Sequence, residues 1–236
     1  MRKLSKSLVL IVWNEINGCK ADIPLLPRGT FDEVYAIDGG STDGTIEYLK
    51  LQGIPVYQQR AKSLNAAYAD AVACSKCEAV VVFFPKATID PVVVTELSRC
   101  IDMGFDLVVA SRNLPSSHNE EDEHVLKPRK WGVATLSHIA SVIWRREGWR
   151  IRDVLHGVKA FTLVAYRRML VSDSGVTIDL EMVVRAYRLR IPRTEIAVNE
   201  QERLHGQTRF KIWPTGKRLG LFLIREIFRA PPAISR

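Results

Sequence analysis

Val34-Tyr35-Ala36-Ile37-Asp38-Gly39-Gly40-Ser41-Thr42-Asp43-Gly44-Thr45 reads as a strand, a tight turn and the start of a helix. The apolar run, with β-branched Val34 and Ile37, ends on Asp38. Glycines, hydroxyls and Asp43 follow, and Ile46-Glu47-Tyr48-Leu49 then restarts apolar residues at helical spacing. In an open α/β sheet, ligands sit at the carboxyl edge where Asp38 would lie. Glycine lets the backbone approach a ligand closely, and the N–H groups of a helix start bind anions. The same residues also suit an ordinary turn with Asp43 as the helix N-cap. The stretch alone does not separate the two.

Outward from it, strands and helices alternate. Ser7 to Trp13 is continuously apolar after its serine and reads as a strand buried on both faces, with Asn14-Glu15 just past its end. Phe31 to Asp38 is the second strand and Thr45 to Leu51 a helix closed by Gly53. Ile54 to Gln58 is a third strand, Ser63 to Ala73 a helix and Ala79 to Phe84 a fourth strand. Asp90-Pro91 supplies an N-cap and first-turn proline for a helix to about Cys100. Asp106 to Ala110 is a fifth strand ending at Ser111-Arg112. Beyond it, 131–144 and 179–189 are helical, 157–163 is strand-like and 191–198 extended. A last helix covers 217–229, stopped by Pro231-Pro232. This rhythm predicts an α/β fold with a mostly parallel sheet covered by helices on both faces. The acidic run between Asn113 and Glu123 interrupts it and reads as a mobile surface loop.

At 236 residues with 47% hydrophobic and 25% charged side chains, one globular domain with a tail is expected. The six apolar residues Leu8 to Trp13 are too short for a signal peptide, and no apolar stretch approaches a membrane span, so a cytosolic chain is expected. The net charge of +8 calls for an anionic partner: nucleic acid, anionic lipid or a phosphorylated substrate. No helix-turn-helix or RNA-binding signature is visible, and nucleic acid would leave Asp38 to Asp43 unexplained. Cys74-Ser75-Lys76-Cys77 has zinc or redox spacing, but no second Cys/His pair completes a site; it reads as small residues on a helix.

Taken together, Val12-Trp13-Asn14-Glu15 and Asp38 to Thr45 resemble the opening of family-2 nucleotide-sugar glycosyltransferases, and most of all dolichyl-phosphate mannose synthase and other polyprenyl-phosphate glycosyltransferases. Ala110-Ser111-Arg112 is similar to the family's small-Ser-Arg, and Asp153 to Phe161 to its Asp-x-x-x-Gly-aromatic-basic motif. Glu181 falls where the family has a helix carrying glutamate. Arg203-Leu204-His205-Gly206-Gln207-Thr208-Arg209 looks like its Arg-x-x-Gly-x-Ser-Lys loop. The resemblance covers roughly residues 7 to 215. It implies a GT-A, Rossmann-like domain over 1–215, with 216–236 as a C-terminal amphipathic helix and tail. It implies a donor pocket of Asn14, Glu15, Asp38, Gly40, Ser41 and Asp43 for a UDP- or GDP-linked sugar. Arg112, Arg129 and Lys159 are implied at the acceptor phosphate, with Arg203, Arg209 and Lys211 on a loop able to close over it. The implied reaction is inverting transfer to a polyprenyl (dolichyl-type) phosphate at the cytosolic membrane face.

The chain departs from that pattern after the fourth strand. Where the family carries Asp-x-Asp for Mg²⁺ or Mn²⁺, this sequence has Pro85-Lys86-Ala87, and Pro and Ala offer no side-chain oxygen. The expectation is therefore no metal cofactor, with Lys86 supplying positive charge at the diphosphate and Asp153 as an orienting residue, a general-base role being its alternative. The alternative is a catalytically silent GT-A-like nucleotide-binding or scaffold protein. In the last helix, Leu221, Ile224 and Phe228 share one side, widened by Leu223 and Ile227, and Arg218, Arg225 and Arg229 share another. That pattern suits an anionic membrane surface and, equally, packing on the parent domain.

Overall fold

The computed structural model describes residues 3–123, 127–202 and 212–229. Seven strands form one sheet in the order β3-β2-β1-β4-β6-β5-β7. They are β1 (Lys6–Val12), β2 (Glu33–Asp38), β3 (Val56–Gln58), β4 (Ala79–Phe83), β5 (Leu107–Ser111), β6 (Lys159–Thr162) and β7 (Arg193–Ala197). All pairings are parallel except those of β6, which runs antiparallel between β4 and β5. All residues of β1 and all of β4 are buried. Alternation explains why their sequences are unbroken apolar runs: Val9 and Ile11 join one core with Val80 and Val82, while Leu8, Leu10 and Val12 join another with Val81 and Phe83.

Eight helices cover the two faces among the described residues: α1 (Ile16–Asp22), α2 (Thr45–Leu51), α3 (Leu64–Cys74), α4 (Val93–Asp102), α5 (Pro128–Trp144), α6 (Leu163–Met169), α7 (Ile178–Arg188) and α8 (Ile212–Ile227). α2 has the bounds its pattern predicts, and Ser63 caps α3 by accepting from the Ala66 N–H at 3.1 Å. Asp90 departs from expectation. Its Oδ1 accepts from the Val92 N–H at 2.9 Å and closes a turn, so the helix begins at Val93 instead of at Pro91. The strand read through Leu163 stops at Thr162, whose side chain caps α6 by accepting from the Ala165 N–H. Cys77 lies beyond the end of α3, and all four cysteines are free. The acidic run holds a short 3₁₀ turn at Glu120–Glu123, where Asp122 pairs with Lys127 and Lys130.

α8 is two-faced. Leu219 and Leu223 are buried in the core that also holds α5 and α7. Glu226, equally buried, pairs with Arg185 at 3.1 Å and Arg188 at 2.6 Å. Leu221, Ile224, Ile227 and Phe228 are exposed. Within the described residues the helix covers Ile212–Ile227. No helix among the described residues is long and apolar enough to cross a membrane. Leu223→Ala should cost about 2–5 kcal/mol of stability in urea denaturation, whereas Ile224→Ala, one residue on, should stay within about 0.5 kcal/mol of wild type.

Candidate functional site

The carboxyl ends of β1, β2 and β4 lie side by side, with Val12 beside Asp38 and Leu10 beside Phe83. The loops that follow β1 and β2 are stitched together. Asn14, in the left-handed region at φ 51°, donates its N–H to Ser41 Oγ at 2.8 Å and accepts from the Thr42 N–H at 2.7 Å. The Glu15 N–H donates to Thr45 Oγ1, and the Ile16 N–H to Asp43 Oδ2. A Cβ on Gly39 would lie 3.1 Å from the Trp13 side chain, so glycine there admits the indole, which remains 43% exposed at this edge.

Asp38 is at the strand end as expected, but its carboxylate is turned into its own loop. It accepts from the N–H groups of Gly40 and Ser41 at 2.7 and 2.9 Å and from the Ser41 hydroxyl, and it is 1% exposed. Asp43 likewise holds Thr45 and Ile16. Partial burial raises its pKa, and those hydrogen bonds more than reverse the effect, leaving it below the usual carboxylate range. These residues shape the edge through one another.

After β4, Pro85-Lys86-Ala87 is held from beneath. A Cβ on Gly18 would lie 2.2 Å from the Pro85 carbonyl oxygen. Ala87 is left-handed at φ 55°, and its N–H donates to Asp22 Oδ2 at 2.9 Å. The Lys86 ammonium lies 4.8 Å from the Phe84 ring centroid.

Lys86 opens onto a cavity of about 390 Å³, which Glu15, Arg112 and Arg129 also line. Four residues chosen from sequence thus meet at one cavity. Asn14, Asp38, Gly40, Ser41 and Asp43 form the adjoining loops, and Asp153 and Lys159 are buried. Arg203, Arg209 and Lys211 lie outside the described residues. Arg112 is gripped on two sides: Nε and Nη2 donate to the Asp153 carboxylate at 2.7 and 3.0 Å, and Nη1 to Glu200 at 2.8 Å. Burial raises the Asp153 pKa, but Arg112 overrides it and holds the acid at about 2. Lys159 pairs with Asp179 at 2.6 Å. Glu181 is buried and paired with Arg185 at 2.8 Å.

Trp13, His156, Asp179 and Glu200 are the site residues that the sequence did not single out. Trp13 and His156 fall within the Val12–Glu15 and Asp153–Phe161 motifs, which is the signal that points to them. Asp179 and Glu200 carried no local signal, because only the tertiary fold brings them to the cavity. At 85–87 the side chains do not suit a divalent cation, and among the described residues no group of three or more His, Cys, Asp or Glu is arranged to hold one.

The strand order, the single antiparallel strand and the loop-built edge define the GT-A fold of nucleotide-sugar glycosyltransferases. Glucosyl-3-phosphoglycerate synthase from Mycobacterium tuberculosis, solved with Mn²⁺, UDP and glucosyl-3-phosphoglycerate, superposes with a TM-score of 0.72 at 16% identity, covering 97% of this chain and 82% of that one. The same enzyme with Mn²⁺, UDP-glucose and phosphoglyceric acid gives a TM-score of 0.73 at 16% identity and the same coverage. In sequence, glycosyltransferase AglJ of Haloferax volcanii is 26% identical over 182 residues, 75% of this chain and 56% of the relative. The chain therefore spans about half the length of that curated relative. No family model matches.

These structures correct the expectation of no metal cofactor, since the synthase, which has this fold, is bound to Mn²⁺ in both. The physical reason is that a hard cation at a diphosphate takes much of its oxygen coordination from the phosphates and from water. Losing two carboxylates at one tripeptide was too narrow a ground for excluding it.

Asp22 gives this edge a measurable pH dependence. Burial raises its pKa to about 6, against hydrogen bonds from Ala87 and Lys86 that lower it. The folded state therefore binds the proton more tightly than the unfolded chain, and Asp22's contribution to stability falls as pH rises from about 4 through about 6. Asp22→Asn should be more stable than wild type at neutral pH, by up to about 3 kcal/mol, with the difference vanishing near pH 4 in urea titrations.

Proposed function

We propose that this chain is a glycosyltransferase that moves a sugar from a UDP- or GDP-linked donor to a phosphate-bearing acceptor, the acceptor being a polyprenyl-type phosphate at a membrane surface. The observation that carries the reading is the make-up of the cavity. Arg129 and Lys130, in the first turn of α5, give way to Val133, Leu136, Leu155 and Leu219. Cations followed by an apolar lining suit a phosphate head joined to a hydrocarbon chain. α8 supports the membrane location: Leu219 lines the cavity while Leu221, Ile224, Ile227 and Phe228 face outward.

In this reading the interlocked loops of β1 and β2 hold the nucleoside, with Trp13 offering an exposed aromatic face to the base. The acceptor phosphate is already anionic at neutral pH. One of its oxygens attacks the anomeric carbon, and the bond from that carbon to the donor diphosphate breaks, its electron pair leaving with the diphosphate. No proton needs to be removed, so a strong general base is unnecessary. Lys86 places positive charge beside the departing diphosphate. Asp153, held by Arg112, fixes the cavity wall. AglJ, as a glycosyltransferase, and the synthase bound to UDP-glucose and phosphoglyceric acid are in keeping with a sugar-nucleotide donor and a phosphorylated acceptor.

Thermal-shift screening against UDP, GDP, UDP-glucose and GDP-mannose, each with Mn²⁺ and with EDTA, tests the donor. Saturation at about 100 times Kd adds about 2.7 kcal/mol of apparent stability, so one nucleotide should raise Tm by several degrees. No shift with any of them at millimolar concentration would leave the silent scaffold reading. Product formation with an isoprenoid phosphate and not with 3-phosphoglycerate identifies a lipid acceptor.

For the membrane, the protein should co-sediment with anionic vesicles at low salt. The double variant Ile224→Asp and Phe228→Asp should stay in the supernatant with its nucleotide shift unchanged. Equal sedimentation of the two proteins would remove α8 from the reading.

A further inference from the structure

His156 lies within the cavity wall, 5% exposed, and its Nδ1 is buried with no hydrogen-bond partner among the described residues. An unsatisfied buried polar atom costs about 1–3 kcal/mol, and such atoms in a native fold call for a reason. The backbone beside it is held in place. The Tyr68 hydroxyl donates to the Gly157 carbonyl at 2.6 Å, and a Cβ on Gly157 would lie 2.6 Å from the Phe84 ring. Relief by a backbone shift is therefore opposed on both sides.

The charges around the ring decide what it suits. Arg112 is shared by two carboxylates, Asp153 and Glu200, and Lys159 is matched by Asp179. Three carboxylates face two cations, and burial together with Arg112 pushes the His156 pKa down to about 4, so the imidazole is neutral at pH 7. This end of the cavity is not built to attract phosphate. It offers carboxylate oxygens and a neutral ring that can donate or accept, and a half-turn about Cβ–Cγ exchanges the edge it presents. Groups that both donate and accept fit it, as hydroxyls do.

We propose that His156, with Asp179 and Glu200, forms a hydroxyl-binding subsite for the donor's sugar, the imidazole fixing one hydroxyl and so selecting among sugars. The inference rests on the nucleotide-sugar reading above and adds to it the residue that senses the sugar. It gives the buried ring its missing partner, and it assigns the phosphates to the cationic part of the cavity.

The test is calorimetric titration of wild type and His156→Phe with UDP and UDP-glucose, or with GDP and GDP-mannose if guanine is the base. In wild type the sugar nucleotide should bind more tightly than the bare diphosphate. In His156→Phe that advantage should shrink about three- to tenfold, the range of one lost hydrogen bond, while diphosphate affinity stays within about twofold of wild type. An unchanged advantage, or an equal loss for both ligands, overturns the subsite. Failure of wild type to bind either diphosphate instead sinks the nucleotide-sugar reading itself. If His156→Phe does not fold, ring-¹⁵N spectra of the wild type decide. The His156 nitrogens should move on adding the sugar nucleotide and not with the diphosphate, and identical spectra with the two ligands overturn the proposal.

Discussion

β1 lies between two parallel neighbours, and all seven of its residues, Lys6 to Val12, are buried. Such a strand has no exposed face on which to carry a functional side chain. Its amino-terminal polar groups are absorbed locally: the Lys6 ammonium pairs with Asp102 at 2.5 Å, and the Ser7 hydroxyl donates to Glu33 at 2.7 Å. Chemistry is left to the carboxyl end, where the chain turns out of the sheet. Because β2 and β4 run parallel to β1, their carboxyl ends reach the same edge. The Asn14, Gly39 and Lys86 loops meet there as a consequence of strand direction.

At that edge, carboxylates spend most of their hydrogen-bonding capacity on the protein. Asp38 accepts from its own loop, Asp43 from Thr45 and from Ile16 of the neighbouring segment, Asp22 from the segment carrying Lys86, and Asp153 from Arg112. Each such bond exchanges freedom of a turn for a fixed shape, which matters where the backbone itself forms the ligand surface. The cationic charge is divided in the same way. Arg112 and Lys159 are neutralised by buried acids, and Arg112 lines the cavity together with Lys86 and Arg129. One cavity thus contains regions of different electrostatic character, and a ligand with a charged part and an uncharged part can be oriented by that difference alone.

α8 joins the cavity to the exterior. Its inner face is held by Leu219 and Leu223 and by Glu226, which bridges Arg185 and Arg188 of α7. Removing one partner from such a buried group leaves uncompensated charge, so the helix docks in a defined register. The outer face keeps Leu221, Ile224 and Ile227 exposed, with Phe228 exposed just past its end. The packing reading of its sequence pattern holds for Leu223, while the exposed apolar residues lie on the side turned away from the domain.

The sequence by itself determined the sheet and the edge. Unbroken apolar runs at β1 and β4 require cover on both faces, and the strand–Asp38–glycine–helix stretch requires a turn at a carboxyl end; period and backbone sterics act locally, so they are legible locally. It did not determine that β6 runs antiparallel between β4 and β5, because four residues, Lys159–Thr162, carry no mark of direction. Nor did it separate a carboxylate facing a ligand from one facing its own loop: Asp38 and Glu15 look alike in sequence, yet Asp38 is sealed by Gly40 and Ser41 while Glu15 lines the cavity. Which acids neutralise Arg112 and Lys159, and that His156 Nδ1 has no partner beside them among the described residues, depends on residues 20 to 90 positions apart meeting in the fold. Only the tertiary structure decided that, because hydrogen bonds and ion pairs are set by distances that chain order does not encode.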